Sequence, residues 1–136
     1  MTEMEDPLEV YRRSLADAPQ VVEAHPPRIE RAEVWPYPDL QRLWARVQIS
    51  PFAAFPNLAF TVTDPDGAVV CTMFMVEIRE VYQSVTMHLR QPPRAGEPYR
   101  VLIELSRDEV ELDARTLDFE LTFQDPAQAA NRGGQP

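Results

Sequence analysis

The chain has 136 residues, 44% of them hydrophobic and 26% charged, a size and composition that give one domain with a real core and exclude wholesale disorder. Acidic residues outnumber basic ones 22 to 13, for a net charge of −9, the opposite of the electrostatic footprint that nucleic acid or an anionic membrane surface selects. All 13 cationic residues are arginine, so Schiff-base chemistry, a P-loop lysine and a lysine general base are excluded.

One cysteine, Cys71, cannot close an internal disulfide, and the N-terminus MTEMEDPLEV has no continuous apolar run of the signal-peptide kind. A reducing, cytoplasmic compartment is therefore expected. No stretch approaches the roughly 18 apolar residues of a membrane-spanning helix. Charge is uneven along the chain: residues 1–30 hold seven acidic and three basic groups, residues 31–103 seven of each, and residues 104–120 seven acidic and two basic. The surplus lies on an N-terminal arm and a last hairpin. A solvated surface is the plain reading of that hairpin. A docking face carrying Glu109, Glu111 and Asp113 is the sharper one.

Residues 1–27 read as an acidic, proline-punctuated arm ending in Pro26-Pro27. Asp6 as cap and Pro7 as first helical residue predict a short helix over 7–17, with Leu8, Tyr11 and Leu15 on one face. So short a helix needs something to pack on.

From residue 28 to 123 the chain alternates with a period of two, the mark of half-buried strands. After an opening strand near 29–35, Leu43, Ala45, Val47 and Ile49 point one way while Arg42, Trp44, Arg46 and Gln48 point the other. Leu58, Phe60 and Val62 repeat the pattern, and Asp64-Pro65-Asp66-Gly67 supplies a turn before a strand over 68–78. Val85, Met87 and Leu89, then Tyr99, Val101, Ile103 and Leu105, form the next inward rows. Val110 and Leu112 lead into Leu117, Phe119, Leu121 and Phe123. The remainder, 124–136, has no apolar periodicity and is expected to be disordered. Seven short antiparallel strands, each with one apolar face, predict an all-β sandwich of two packed sheets, with a closed lipocalin-like barrel as the alternative.

The segment Gly96-Glu97-Pro98-Tyr99-Arg100-Val101 resembles the approach to the penultimate strand of immunoglobulin-like and fibronectin type III domains, where a tyrosine pins a corner. The resemblance covers roughly residues 29–123. It implies an immunoglobulin-like sandwich, although the core cysteine pair of antibody domains is absent.

Motifs of catalysis and metal binding do not assemble. The two histidines, His25 and His88, have no zinc-ligand spacing. Asp64-x-Asp66-Gly67 starts like a calcium loop, but Met75 stands at the twelfth position, so a turn is the better reading. Ser14, Ser50, Ser84 and Ser106 lack a nucleophile elbow, and Cys71 lies in a β-run where burial makes a thiol inert. With four glycines, the chain has no phosphate cradle. No enzyme activity, cofactor or metal is expected.

Three surface features remain. Residues 69–76 are apolar on both phases, with Val70, Phe74, Val76 and Ile78 on one and Val69, Cys71, Met73 and Met75 on the other. The second row is read as the outward one, inviting self-association or a partner sheet, with a central strand covered by Leu8, Tyr11 and Leu15 of the N-terminal arm as the alternative. Phe52 and Phe55 lie in an apolar connection, either plugging the sandwich end or forming a partner tip. Trp44 stands between Arg42 and Arg46, with Trp35 and Tyr37 nearby, a setting for cation–π contacts or a stacked sugar. The expectation is a non-enzymatic protein-interaction or structural module, with a small-molecule or carbohydrate binder as the alternative.

Overall fold

Two-residue alternation becomes seven antiparallel strands in the computed structural model, which describes residue 23 and residues 25–124. They are β1 (Ile29–Pro36), β2 (Arg42–Ile49), β3 (Asn57–Thr63), β4 (Val69–Met75), β5 (Tyr82–His88), β6 (Pro98–Arg107) and β7 (Val110–Glu120). The predicted helix over 7–17 lies outside the described residues, as does nearly all of the tail.

The strands form two sheets, a three-stranded one in the order β1-β2-β5 and a four-stranded one in the order β4-β3-β6-β7. This is a β-sandwich and not a closed barrel, because among the described residues neither sheet pairs with the other. In a constant-type immunoglobulin domain the fourth strand extends the first sheet. Here it extends the second, beside β3.

Between the sheets lie the rows that alternation marks. Leu43, Ala45, Val47 and Ile49 of β2 meet Leu58, Phe60 and Val62 of β3 and Val101, Ile103 and Leu105 of β6, all buried. Each large side chain so buried contributes about 1.5–3 kcal/mol of transfer free energy. No buried polar side-chain atom among the described residues lacks a partner.

The turns follow from local chemistry. In the β3–β4 hairpin Gly67 takes φ +84° and donates to Asp64 O at 3.0 Å, while Asp64 Oδ1 accepts the N–H groups of Asp66 and Ala68. The β6–β7 turn holds Asp108 and Glu109 at φ 53° and 65°, the paired positive values that a two-residue type I′ hairpin needs. At the corner before β6, the Tyr99 hydroxyl accepts the Arg94 N–H at 3.0 Å and its ring stacks on Phe119. Gly96, at φ +79°, turns the chain there. The Arg94 side chain bonds Glu97 and reaches Asp66 in the β3–β4 turn at 2.8 Å. These bonds raise its pKa above the ordinary arginine value.

Two bulges change which side chains face inward. Val62 pairs with Cys71 and Thr63 with Val69, so Val70 is an extra residue and both Val70 and Cys71 turn into the core. Leu105 pairs with Asp113 and Ser106 with Glu111, so Leu112 is extra in β7. The strand expected over 68–78 also ends early. Glu77 adopts φ 51° and donates to Asn57 Oδ1, after which Ile78 donates to Pro56 O and buries its side chain.

Candidate functional site

The two sides of the sandwich, where an edge of one sheet meets an edge of the other, are unlike. On the β1/β7 side, the inward phase of β7 carries Asp113 and Arg115, opposite Leu105 and Ile103. Because β7 is the last strand of its sheet, both side chains reach across to β1. Asp113 Oδ2 accepts the Ile29 N–H at 2.8 Å, and Arg115 Nη2 donates to Ile29 O at 2.8 Å. This side is closed by charges that point inward, one of the devices that blunt a sheet edge.

That geometry corrects the reading of the acidic hairpin. Glu111 and Asp113 do not share an exposed face, because the bulge at Leu112 separates their phases. Glu109 and Glu111 are exposed, whereas Asp113 is half-buried and spent on backbone N–H groups.

On the β4 side the outward row also differs from the expected one. The bulge at Val70 shifts the phase, so Cys71 is 6% exposed and Met73 and Met75 pack against the core. Burial pushes the Cys71 thiol pKa up, against smaller opposing contributions from the His88 backbone and Arg90. Val69, which keeps its expected place, and Phe74 and Val76 face outward at 55%, 61% and 62% exposure. β4 is an edge strand, paired on one side with β3. At its start the Arg90 N–H donates to Val70 O at 2.8 Å. Beyond that point, no strand among the described residues covers its other edge, and residues 68–76 contain no charge, proline or glycine.

The connection between β2 and β3 divides its two phenylalanines. Phe52 is buried and closes the sandwich end, while Phe55 is exposed, edge-on to Phe52 and beneath Arg79 at 4.8 Å. Arg107 fastens this loop by donating to Ala54 O at 3.1 Å and to both Glu23 oxygens at 2.7 and 3.0 Å. Glu23 also accepts the Ala53 N–H. The Arg107 guanidinium lowers the Glu23 pKa, with partial burial opposing it. No motif marks this pair, whose members lie 84 positions apart.

The outer face of the three-stranded sheet carries Trp44, with Trp35 directly across from it on β1. Trp44 Nε1 donates to Ser84 Oγ at 2.6 Å, and the Arg46 guanidinium lies 5.4 Å from its ring centre. Arg42 stacks on Tyr37, whose hydroxyl meets Thr86 Oγ1 at 3.1 Å. Beside this row a depression of about 230 Å³ is lined by Arg31, Glu33, Arg46, Gln48, Tyr82 and Ser84. Tyr82 escaped the sequence reading, although its place on the outward phase of β5 follows from alternation. Among the described residues, no three His, Cys, Asp or Glu side chains gather as a metal set, and no helix is long and apolar enough to cross a membrane.

No family model matches the chain, and no curated protein matches it. Solved structures do. A glycosyl hydrolase family 2 member from Bacteroides cellulosilyticus superposes with a TM-score of 0.55 at 14% identity, over 71% of this chain and 15% of that one. A beta-glucuronidase from glycoside hydrolase family 2 gives 0.52 at 18% identity, over 70% of this chain and 12% of its own. The FMN-binding beta-glucuronidase from Facaelibacterium prausnitzii L2-6 gives 0.51 at 11% identity, over 70% and 16%. At such identities the likeness is one of fold. This chain corresponds to a small β-sandwich part of much longer enzymes.

Proposed function

We propose that the chain is a non-catalytic β-sandwich module that works by docking a protein strand along its β4 side. The observation behind this reading is the contrast between the two sides. Asp113 and Arg115 close one with bonds to the Ile29 backbone, while past Val70 β4 offers a backbone edge that no strand among the described residues covers, flanked by exposed Phe74 and Val76. Strand addition uses such an edge, with main-chain hydrogen bonds giving affinity and alternate side chains giving selectivity. A photo-crosslinking amino acid placed at Phe74 tests it in extract of the native host. Capture at Phe74, and not at Glu111 on β7, is expected. Capture only at Glu111 or at Trp44 would move the docking surface elsewhere.

A second reading takes the outer face of β1, β2 and β5 as a platform for a carbohydrate. It is favoured by the Trp35–Trp44 pair beside a polar depression, and by the glycoside hydrolase identity of the similar structures. Titration with neutral and uronic oligosaccharides should then shift tryptophan emission, and Trp44→Ala should remove the shift. A flat emission across the panel would end this reading.

A further inference from the structure

We infer that the strand docking on β4 is the β4 of a second copy of this chain, paired antiparallel about a two-fold axis so that two four-stranded sheets become one of eight strands. The inference rests on the docking reading above and names its partner.

Charge selects the occupant. Each copy carries −9, so two copies repel over most of their surfaces. A basic partner would be drawn instead to the last hairpin, where Glu109, Glu111 and Glu120 are exposed. Residues 68–76 hold no charge. What fits them is another uncharged apolar strand, and the chain itself supplies one.

Two of the other three edges are guarded. β1 carries Glu30, Arg31 and Glu33 and closes on Pro36, and β7 is acidic. β5 lacks such guards, but its outward row of Tyr82, Ser84, Thr86 and His88 is polar apart from the Tyr82 ring. Lysine, proline and inward charge are the usual protections of an exposed edge. β4 has none of these, and past the Val70 bulge and the Arg90 bond to Val70 O no strand among the described residues covers 72–75.

Symmetry completes the fit. Self-pairing of one strand is isologous, so each side chain meets a defined counterpart. A register centred on Met73 sets Phe74 of each copy beside Thr72 of the other on the outward face, ring against methyl, with no like charges opposed. The Met73 and Met75 side chains, which already pack on the core, continue the apolar interior across the axis.

Sedimentation equilibrium of the full chain over a concentration series tests this, with hydrogen exchange read at the amides of 72–75. The expected result is twice the single-chain mass at high concentration and dissociation on dilution, with amide protection following the dimer fraction. Phe74→Lys brings two like charges together near the axis and should weaken the dimer at least roughly a hundredfold. Glu111→Gln should leave it unchanged. Phe74 is largely exposed, so lysine there empties no core, and thermal unfolding at high dilution verifies the variant's fold. Thr72→Lys reaches the same clash independently. A wild-type chain that stays single at its highest soluble concentration overturns the inference, and so does a dimer that both lysine variants leave intact. In the first case, crosslinking of a different protein at Phe74 would keep the docking reading while assigning the edge to that protein. No capture at all would end both.

Discussion

The Asp113 carboxylate accepts the Ile29 N–H at 2.8 Å across 84 positions of sequence, tying the last strand to the first where the two sheets meet. Ile29 is a core residue, so its N–H has poor access to replacement water. Asp113→Ala should therefore destabilise the domain by about 1–3 kcal/mol, the cost of leaving a buried donor unmade. Asp113→Asn keeps an acceptor oxygen and should recover part of the loss. Urea unfolding of the three proteins measures both effects, and equal stability of Asp113→Ala and wild type would show that the bond contributes nothing.

Tyr99 holds the corner before β6 through one hydroxyl. Tyr99→Phe keeps the ring stacked on Phe119 and removes the acceptor of the Arg94 N–H. A loss of about 1–2 kcal/mol is expected. Exchange at the Arg94 amide should speed up more than at Val101 in the centre of β6, which separates a local opening of the corner from general destabilisation.

The parts of this fold that were legible from sequence are those governed by neighbours in the chain. Leu43 to Ile49 alternate because one sheet face meets the core and the other meets water. Tyr99 announces its corner because Gly96 and the accepting hydroxyl lie within a few residues of Arg94. The outward face of β4 was misread for a physical reason: Val70 adds one residue against β3 and reverses the phase from Cys71 onward. Composition cannot reveal such a bulge, since Val70 and Val69 are chemically alike. The Trp35–Trp44 pairing and the Glu23–Arg107 bond depend on register and closure between distant segments.

The β6–β7 turn contains a removable strain. Glu109 sits at φ 65°, where a side chain costs roughly 1–2 kcal/mol that glycine does not pay. Glycine also gives the unfolded chain more freedom, worth roughly 0.5–1 kcal/mol. Glu109→Gly should therefore stabilise the domain by up to about 1 kcal/mol. Chemical denaturation reads the sign, and a clear loss of stability would mean that the Glu109 side chain makes a contribution its exposure does not suggest.

The Glu23–Arg107 bond should depend on acid in a definite direction. Its hydrogen bond to Arg107 lowers the Glu23 pKa from 4.5 in the folded protein. A group with a depressed folded-state pKa contributes fully above its unfolded value and loses that contribution as pH falls through the folded value. The pair is therefore intact at neutral pH and released only in acid. The Ala53 amide, which donates to Glu23, should shift in NMR spectra with a midpoint below pH 4.5, and Glu23→Gln should abolish that transition. A midpoint above this value would reverse the assigned sign.

Two neighbouring substitutions test the phase of β4 itself. Met73 packs against the core, while Phe74 projects outward at 61% exposure. Met73→Arg forces a charge toward an apolar interior and should cost about 2 kcal/mol or more. Phe74→Arg, measured at dilutions where chains are single, should stay within about 0.5 kcal/mol of wild type, as surface substitutions do. Without the Val70 bulge the order would be inverted, with Phe74 inside and Met73 exposed. The ranking of the two variants in urea therefore reports on the bulge directly, and through it on which side chains the β4 edge can offer to a partner.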